Sequence, residues 1–210
     1  MAKLVVGTFL TVDGVMQAPG GPDEDPDGGF EHGGWTVPYF NDEGGQLVTG
    51  WIEQATALLL GRKTYEIFAA YWPRVTDDQD PIASKLNSVP KYVASRTLDT
   101  VDWNNSTLIK GDVAEEVARL KRESAGEIHV MGSGDLIQTL MKHDLVDEYR
   151  LWVFPLLLGK GKRLFAEGTI PGGLRLVDTR TSSTGVTSHT YERAGKLEYG
   201  SFALEEERAR

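Results

Sequence analysis

The sequence predicts an α/β protein built on one mixed sheet, mostly parallel, with antiparallel strands at its C-terminal end. Three observations point to it. Short apolar runs alternate with segments of helical periodicity between residues 41 and 142. Several of those runs end in glycine or hydroxyl residues just where a helix begins. Two further strand-like stretches meet at the turn signal Thr184-Gly185.

Leu4 to Leu10 is apolar on both alternating faces, as in a central strand covered on both sides. Gln17 to Tyr39 holds six glycines and four prolines in 23 residues, too long for an ordinary connection and expected to lie over or beside a site. A helix is expected from about Asn41 to Ala55, with Leu47, Val48, Trp51, Ile52 and Ala55 in one stripe. Ala57 to Leu60 reads as a short buried strand ended by Gly61, and Thr64 to Trp72 as a helix stopped before Pro73. Asp80-Pro81 starts a helix running through Leu86. Strands follow at Lys91 to Ser95 and Thr107 to Lys110, then a helix capped by Asp112 and ending at Gly126. Glu127 to Met131 is a strand, Ser133 to Lys142 a helix and Tyr149 to Leu158 a long strand. Leu174 to Ser183 and Val186 to Arg193 form the antiparallel end. This gives one domain over residues 1–194 and a charged extension over 195–210.

The chain is 40% hydrophobic and 25% charged, so it can bury a real core. Its net charge is −9, which sets nucleic-acid binding well behind other classes. The excess is local: nine acidic residues and no Lys or Arg lie between Lys3 and Arg62. The absence of cysteine excludes a disulfide scaffold, thiolate-held metal centres and a cysteine nucleophile. The longest uninterrupted apolar run, Leu151 to Leu158, is far too short to span a membrane. Asp13 follows the first strand closely and argues against a signal peptide. A cytoplasmic protein without nucleic-acid or membrane partners is expected.

Three segments carry chemistry. In Leu58 to Glu66 a buried strand ends at Gly61 and a helix opens near Thr64, so free N–H groups and the helix dipole meet the charges of Arg62 and Lys63. That suits a phosphate, although a plain strand–helix corner with two solvated cations reads equally well. Ile128 to Leu136 offers Gly132 and Gly134 where a backbone could approach a pyrophosphate; the competing reading is a tight packing turn. Lys91 to Thr97 brings Ser95 and Arg96 to a third strand end. Together they fit the rule that ligands bind outside the carboxyl ends of the strands, and favour a nucleotide cofactor.

Residues 59–66 (Leu-Leu-Gly-Arg-Lys-Thr-Tyr-Glu), 92–98, 130–134, 145–151 and 154–165 (Phe-Pro-Leu-Leu-Leu-Gly-Lys-Gly-Lys-Arg-Leu-Phe) resemble the dihydrofolate reductase-like superfamily. The branch is that of the C-terminal reductase domain of the bifunctional riboflavin-biosynthesis deaminase/reductase. The resemblance spans roughly Lys3 to Arg193. It implies a three-layer α/β/α fold, NADPH as cofactor and hydride transfer to a pterin- or ribosylaminopyrimidine-like substrate. It puts Gly61, Arg62, Lys63 and Thr64 at the cofactor phosphates, with Arg62 on the 2′-phosphate. Gly132, Ser133, Gly134, Asp135 and Leu136 fall at the pyrophosphate, and Ser95 and Arg96 near the adenosine. Thr11 and Met16, in the first strand and its loop, lie against the nicotinamide. The zinc-binding His/Cys motif of the family's amino-terminal deaminase does not occur in these residues, so no deaminase activity is expected of them.

Asp13, Asp42 or a bound water is the candidate proton donor, and Asp13 reads equally well as a turn residue before Gly14. Phe9, with Trp35 and Tyr39 of the long loop, is expected to wall a flat substrate ring. No metal is expected: Asp23 to Gly28 matches the opening of an EF-hand loop, but its twelfth position is Gly34. His32, His129, His143 and His189 show no ligand spacing, and His129 reads as a packed strand residue. Both faces of Leu151-Trp152-Val153-Phe154 are apolar and need a covering layer, which with the resemblance suggests a homodimer. Two functions compete: an NADPH-dependent reductase, and a non-catalytic nucleotide-binding or interaction protein that keeps the fold.

Overall fold

Lys3–Thr11 (β1) has both of its faces buried along most of its length, which requires helices above and below it. The computed structural model describes residues 1–76 and 79–202. Along them follow Asp42–Ile52 (α1), Ala55–Gly61 (β2), Arg62–Tyr71 (α2), Pro81–Ser88 (α3), Lys91–Ala94 (β3), Ser106–Ile109 (β4) and Val113–Glu123 (α4). Then come Glu127–Met131 (β5), Gly134–Lys142 (α5), Glu148–Phe154 (β6), Leu174–Thr181 (β7) and Thr187–Arg193 (β8). The strands form one sheet in the order β4-β3-β2-β5-β1-β6-β8-β7. The pairs from β4 to β6 are parallel; those of β6 with β8 and β8 with β7 are antiparallel.

Alternation of side chains divides the core in two. Leu4, Val6, Leu59 and Val130 point to one face, where Val117 and Leu120 of α4 and Ile137 and Leu140 of α5 cover them. Leu58, Leu60 and Phe154 point to the other, under Trp51 and Ile52 of α1, Tyr65 of α2 and Leu86 of α3. This is the three-layer α/β/α arrangement. No helix among the described residues is long and apolar enough to cross a membrane.

Three expectations need correction. The first helix stops at Ile52, because Ala55 already pairs with Glu127 at the start of β2. The strand expected to reach Leu158 stops at Phe154, since Pro155 has no N–H for the ladder. Third, β6 lies between β1 and β8 and this chain itself buries Leu151, Trp152 and Phe154, so that strand needs no second copy to cover it. The exposed edge is β7 instead. Residues 195–202 form no helix or strand, and the acidic run from Glu205 lies outside the described residues.

Candidate active site

The carboxyl ends of β3, β2, β5 and β1 open into one cleft of about 1820 Å³, large enough for a dinucleotide beside a second small molecule. Its centre is built where α2 and α5 begin. The Gly61 N–H donates to Ser133 Oγ (2.9 Å), the Ser133 N–H donates to Thr64 Oγ1 (2.9 Å), and Ser133 Oγ donates to the Met131 carbonyl (2.9 Å). These bonds hold the two helix N-termini side by side. Gly132 has φ +54°, and a Cβ there would stand 2.9 Å from Thr64 Oγ1, so glycine is needed for this approach.

The capping pattern sets these two helices apart. Asn41, Asp80 and Asp112 cap α1, α3 and α4 through their side chains. Neither α2 nor α5 has a side-chain cap, so their first N–H groups and positive dipole ends are left for a ligand. Gly61, Arg62, Lys63, Thr64, Gly132, Ser133, Gly134, Asp135 and Leu136 all line the cleft, as do Ser95, Arg96, Met16 and Phe9. Arg62 rests at 3.5 Å from Glu66 one turn on. Ser95 is buried, and its Oγ accepts from the N–H groups of Thr97 (3.2 Å) and Leu98 (3.0 Å), shaping the turn after β3.

Other expected residues sit elsewhere. Thr11 Oγ1 donates to Asp13 (2.5 Å) and accepts from the Val15 N–H (3.0 Å), inside the turn after β1 and off the cleft lining. Asp13 accepts from Thr11 and from the N–H groups of Leu158 (3.3 Å) and Gly159 (2.8 Å), and those bonds hold its carboxyl below the usual range. It ties the loop after β6 to the loop after β1. Asp42 is exposed in the first turn of α1, outside the lining. Trp35 is buried with its indole N–H on the Gln17 carbonyl (2.8 Å) and its ring edge-on to Phe154. Tyr39 packs against Phe154 as well. Both lie off the cleft lining, because the loop's aromatic residues turn into the core while its acidic stretch lines the cleft.

That acidic stretch forms a roof. Asp25 accepts from Lys63 (3.0 Å) and Lys162 (2.5 Å); Asp27 accepts from Lys162 (3.0 Å) and, at shorter range, from Lys63. Gln17 fixes the loop from beneath, donating to the carbonyls of Asp25 and Asp27 and accepting from the Lys162 N–H, each at 3.0 Å. Burial pushes the Asp25 carboxyl up, but the two lysines outweigh it and leave it lowered. The hydrogen bond to Asp27 raises Lys63.

Residues 2–188 match the profile of the RibD C-terminal domain. The chain belongs to that family. A relative in it, the uncharacterized protein YyaP of Bacillus subtilis (strain 168), is 31% identical over 198 residues, covering 90% of this chain and 94% of YyaP. The RibD-like fold recurs in the Thermotoga maritima diaminohydroxyphosphoribosylaminopyrimidine deaminase/5-amino-6-(5-phosphoribosylamino)uracil reductase, at a TM-score of 0.59 and 13% identity over 92% of this chain and 57% of that one. It recurs in dihydrofolate reductase from Enterococcus faecalis complexed with NADP(H), at a TM-score of 0.58 and 15% identity over 91% and 96% of the two chains. The resemblance read in the sequence and the fold class it implied are borne out.

Within this RibD-like cleft, the sequence reading missed Gly7, Trp51, Phe68, Tyr71 and Trp72. One signal was present: a glycine inside an otherwise apolar strand marks a close approach. A Cβ on Gly7 would lie 1.7 Å from Trp51 Cζ2, so only glycine admits the indole there. Trp51 also stacks on His129 at 5.4 Å between ring centroids. His129 is fully buried, its Nε2 is 2.7 Å from Glu127, and burial holds its pKa down. Arg150 Nη2 donates to the other Glu127 oxygen (2.9 Å) and fixes the group from below.

Proposed function

We propose that this protein is an NADPH-dependent reductase that delivers hydride to a C=N or carbonyl carbon of a small acceptor. The observation that carries the reading is the pair of uncapped helix N-termini, α2 and α5, joined through Ser133 at one point of the cleft. A pyrophosphate offers acceptor oxygens to both sets of N–H groups at once. Gly132, where a Cβ would stand 2.9 Å from Thr64 Oγ1, lets the two helix N-termini come this close together. Arg62 supplies the planar fork for a 2′-phosphate, exchanging Glu66 for it, and Arg96 supplies a second cation.

A bound nicotinamide supplies the hydride; the chain supplies orientation and exclusion of water. Phe9 and Met16 border the cleft beside β1, and the 17–27 roof shields it. Asp13 is committed to its turn and Asp42 faces solvent, so in this reading the proton comes from water. The family membership and the NADP(H) complex of the Enterococcus faecalis reductase support the same cofactor. A cytoplasmic homodimer belongs to the reading.

Calorimetric titration tests it. NADPH should bind, and Arg62→Ala should weaken it about ten- to hundredfold, the value of a charged hydrogen bond of roughly 1.5–3 kcal/mol. NADH, without the 2′-phosphate, should change less than about twofold. Equal losses for both cofactors would remove the phosphate role from Arg62. No binding of NADPH to the wild-type protein would overturn the reading, and binding without oxidation of NADPH by any acceptor would favour a non-catalytic protein.

A further inference from the structure

Resting on the reductase reading, we propose that the acceptor is an uncharged, largely apolar aromatic carbonyl or imine compound, and not a phosphorylated or carboxylated one. The chamber that would hold it lies between β1, α1 and α2. Phe9, Phe40, Trp51, Phe68, Tyr71 and Trp72 wall it. Tyr71 is 60% exposed and Phe40 38%, while Phe9, Phe68 and Trp72 are half-buried. Large aromatic faces left open inside a concavity gain by covering an apolar molecule.

Charge is kept out of this chamber. The two carboxylates that open α1 turn away from it: Asp42 is exposed off the lining, and Glu43 accepts from the N–H and Oγ of Ser183. The basic residues nearest to an incoming anionic substrate are already paired with carboxylates. Lys63 and Lys162 are each bridged to Asp25 and Asp27, and Arg163 lies 3.6 Å from Asp13. An anion entering between the aromatic walls would lose its water and gain no cation, which is strongly unfavourable. Arg62 and Arg96, at the cofactor end, are assigned to the cofactor by the reading above.

Two buried polar groups on residues that line the cleft lack a hydrogen-bond partner among the described residues, the Trp51 indole N–H and the Thr8 hydroxyl. Gly7 and the His129 ring pin the indole in place. Neutral donors of this kind among aromatic walls suit a carbonyl oxygen or imine nitrogen and not an anion. In the reaction, hydride bonds to the carbon of C=O or C=N and the π pair moves to oxygen or nitrogen, which takes a proton from water. The nicotinamide is oxidised and the acceptor becomes an alcohol or amine.

The test is binding to the full chain by calorimetry, with 1-tetralone as the uncharged aryl ketone and uridine 5′-monophosphate and p-aminobenzoylglutamate as anionic comparisons. 1-Tetralone should bind at least tenfold more tightly than either anion. Phe68→Asp should weaken it at least tenfold and the surface change Tyr71→Asp at least threefold, with NADPH titration of each variant reporting on its folding. Either anion binding as tightly as 1-tetralone, or both aspartate variants binding 1-tetralone like the wild type, would overturn the substrate class while NADPH binding kept the reductase reading intact. Failure of NADPH to bind the wild-type protein would instead remove that reading, and the proposal with it.

Discussion

Lys91 heads the fully buried side chains, and no carboxylate pairs with its ammonium among the described residues. Its Nζ donates to the carbonyls of Asn87 (3.1 Å), Val89 (2.9 Å) and Asn104 (2.9 Å) and sits 4.4 Å from the Trp103 ring centroid. These contacts join the end of α3 to the loop before β4, while burial pulls the Lys91 pKa down to about 8. The unfolded chain keeps that proton to 10.5 and therefore binds more protons between the two values, so the Lys91 contribution to stability rises with pH there. Tyr149, pushed up to about 12 by burial, works in the opposite sense above pH 10, which confines the useful window to about pH 8–9.5. Denaturant titrations should show a gain of up to about 2 kcal/mol across that window, missing in Lys91→Met. Parallel pH curves for the two proteins would refute it. At this scale sequence legibility was mixed. The motif residues of the glycine turns were readable because their chemistry is local. Asp13 stood evenly between site and turn until the long-range bonds to Leu158 and Gly159 decided its position.

Among elements, the openings of α2 and α5 could be read directly, since a strand end, a glycine and a helix start are neighbours in sequence. The aromatic chamber could not. The stripe on α1 looks like an ordinary core face, and only the distant Gly7 backbone turns Trp51 into a cleft wall. The long loop misled for a related reason: irregular chain has no periodicity to reveal that Phe30 and Trp35 are buried while Asp25 and Asp27 form the roof. That roof has an electrostatic consequence. Each aspartate offsets a cation close to the α2 N-terminus, so the free cleft is less attractive to an anionic cofactor than its lysines alone would make it. The double change Asp25→Asn and Asp27→Asn should tighten NADPH about three- to tenfold at low ionic strength, and raising salt to about 1 M should erase most of the difference because exposed charges are screened. Binding weakened at both salt levels would show that the aspartates serve only to hold the loop in shape.

On the scale of the whole molecule, the parallel centre of the sheet is closed by its own helices, and the unfinished part is the edge. The sequence supplied both antiparallel strands but not which apolar surface stays open, since that depends on strand order; β6 carries the apolar run Leu151 to Phe154 and lies inside. β7 ends the sheet, all eight of its residues are exposed, and Leu174, Leu176 and Val177 are 41–48% accessible. Its outer row of N–H and C=O groups has no ladder partner among the described strands, the situation in which a second identical edge pairs readily. The bulge between Leu176 and Asp178 limits the stretch of regular pairing and shifts emphasis to the apolar side chains. A homodimer through this edge should therefore be sensitive to side-chain charge. Light scattering at micromolar concentration should give twice the 23.1 kDa chain mass for the wild type, and Leu176→Lys with Val177→Lys should return it to one chain. The cleft takes no lining residue from β7, so the same variant should keep its NADPH affinity. A wild-type protein that scatters as a single chain would show that the three apolar residues of this edge remain in water.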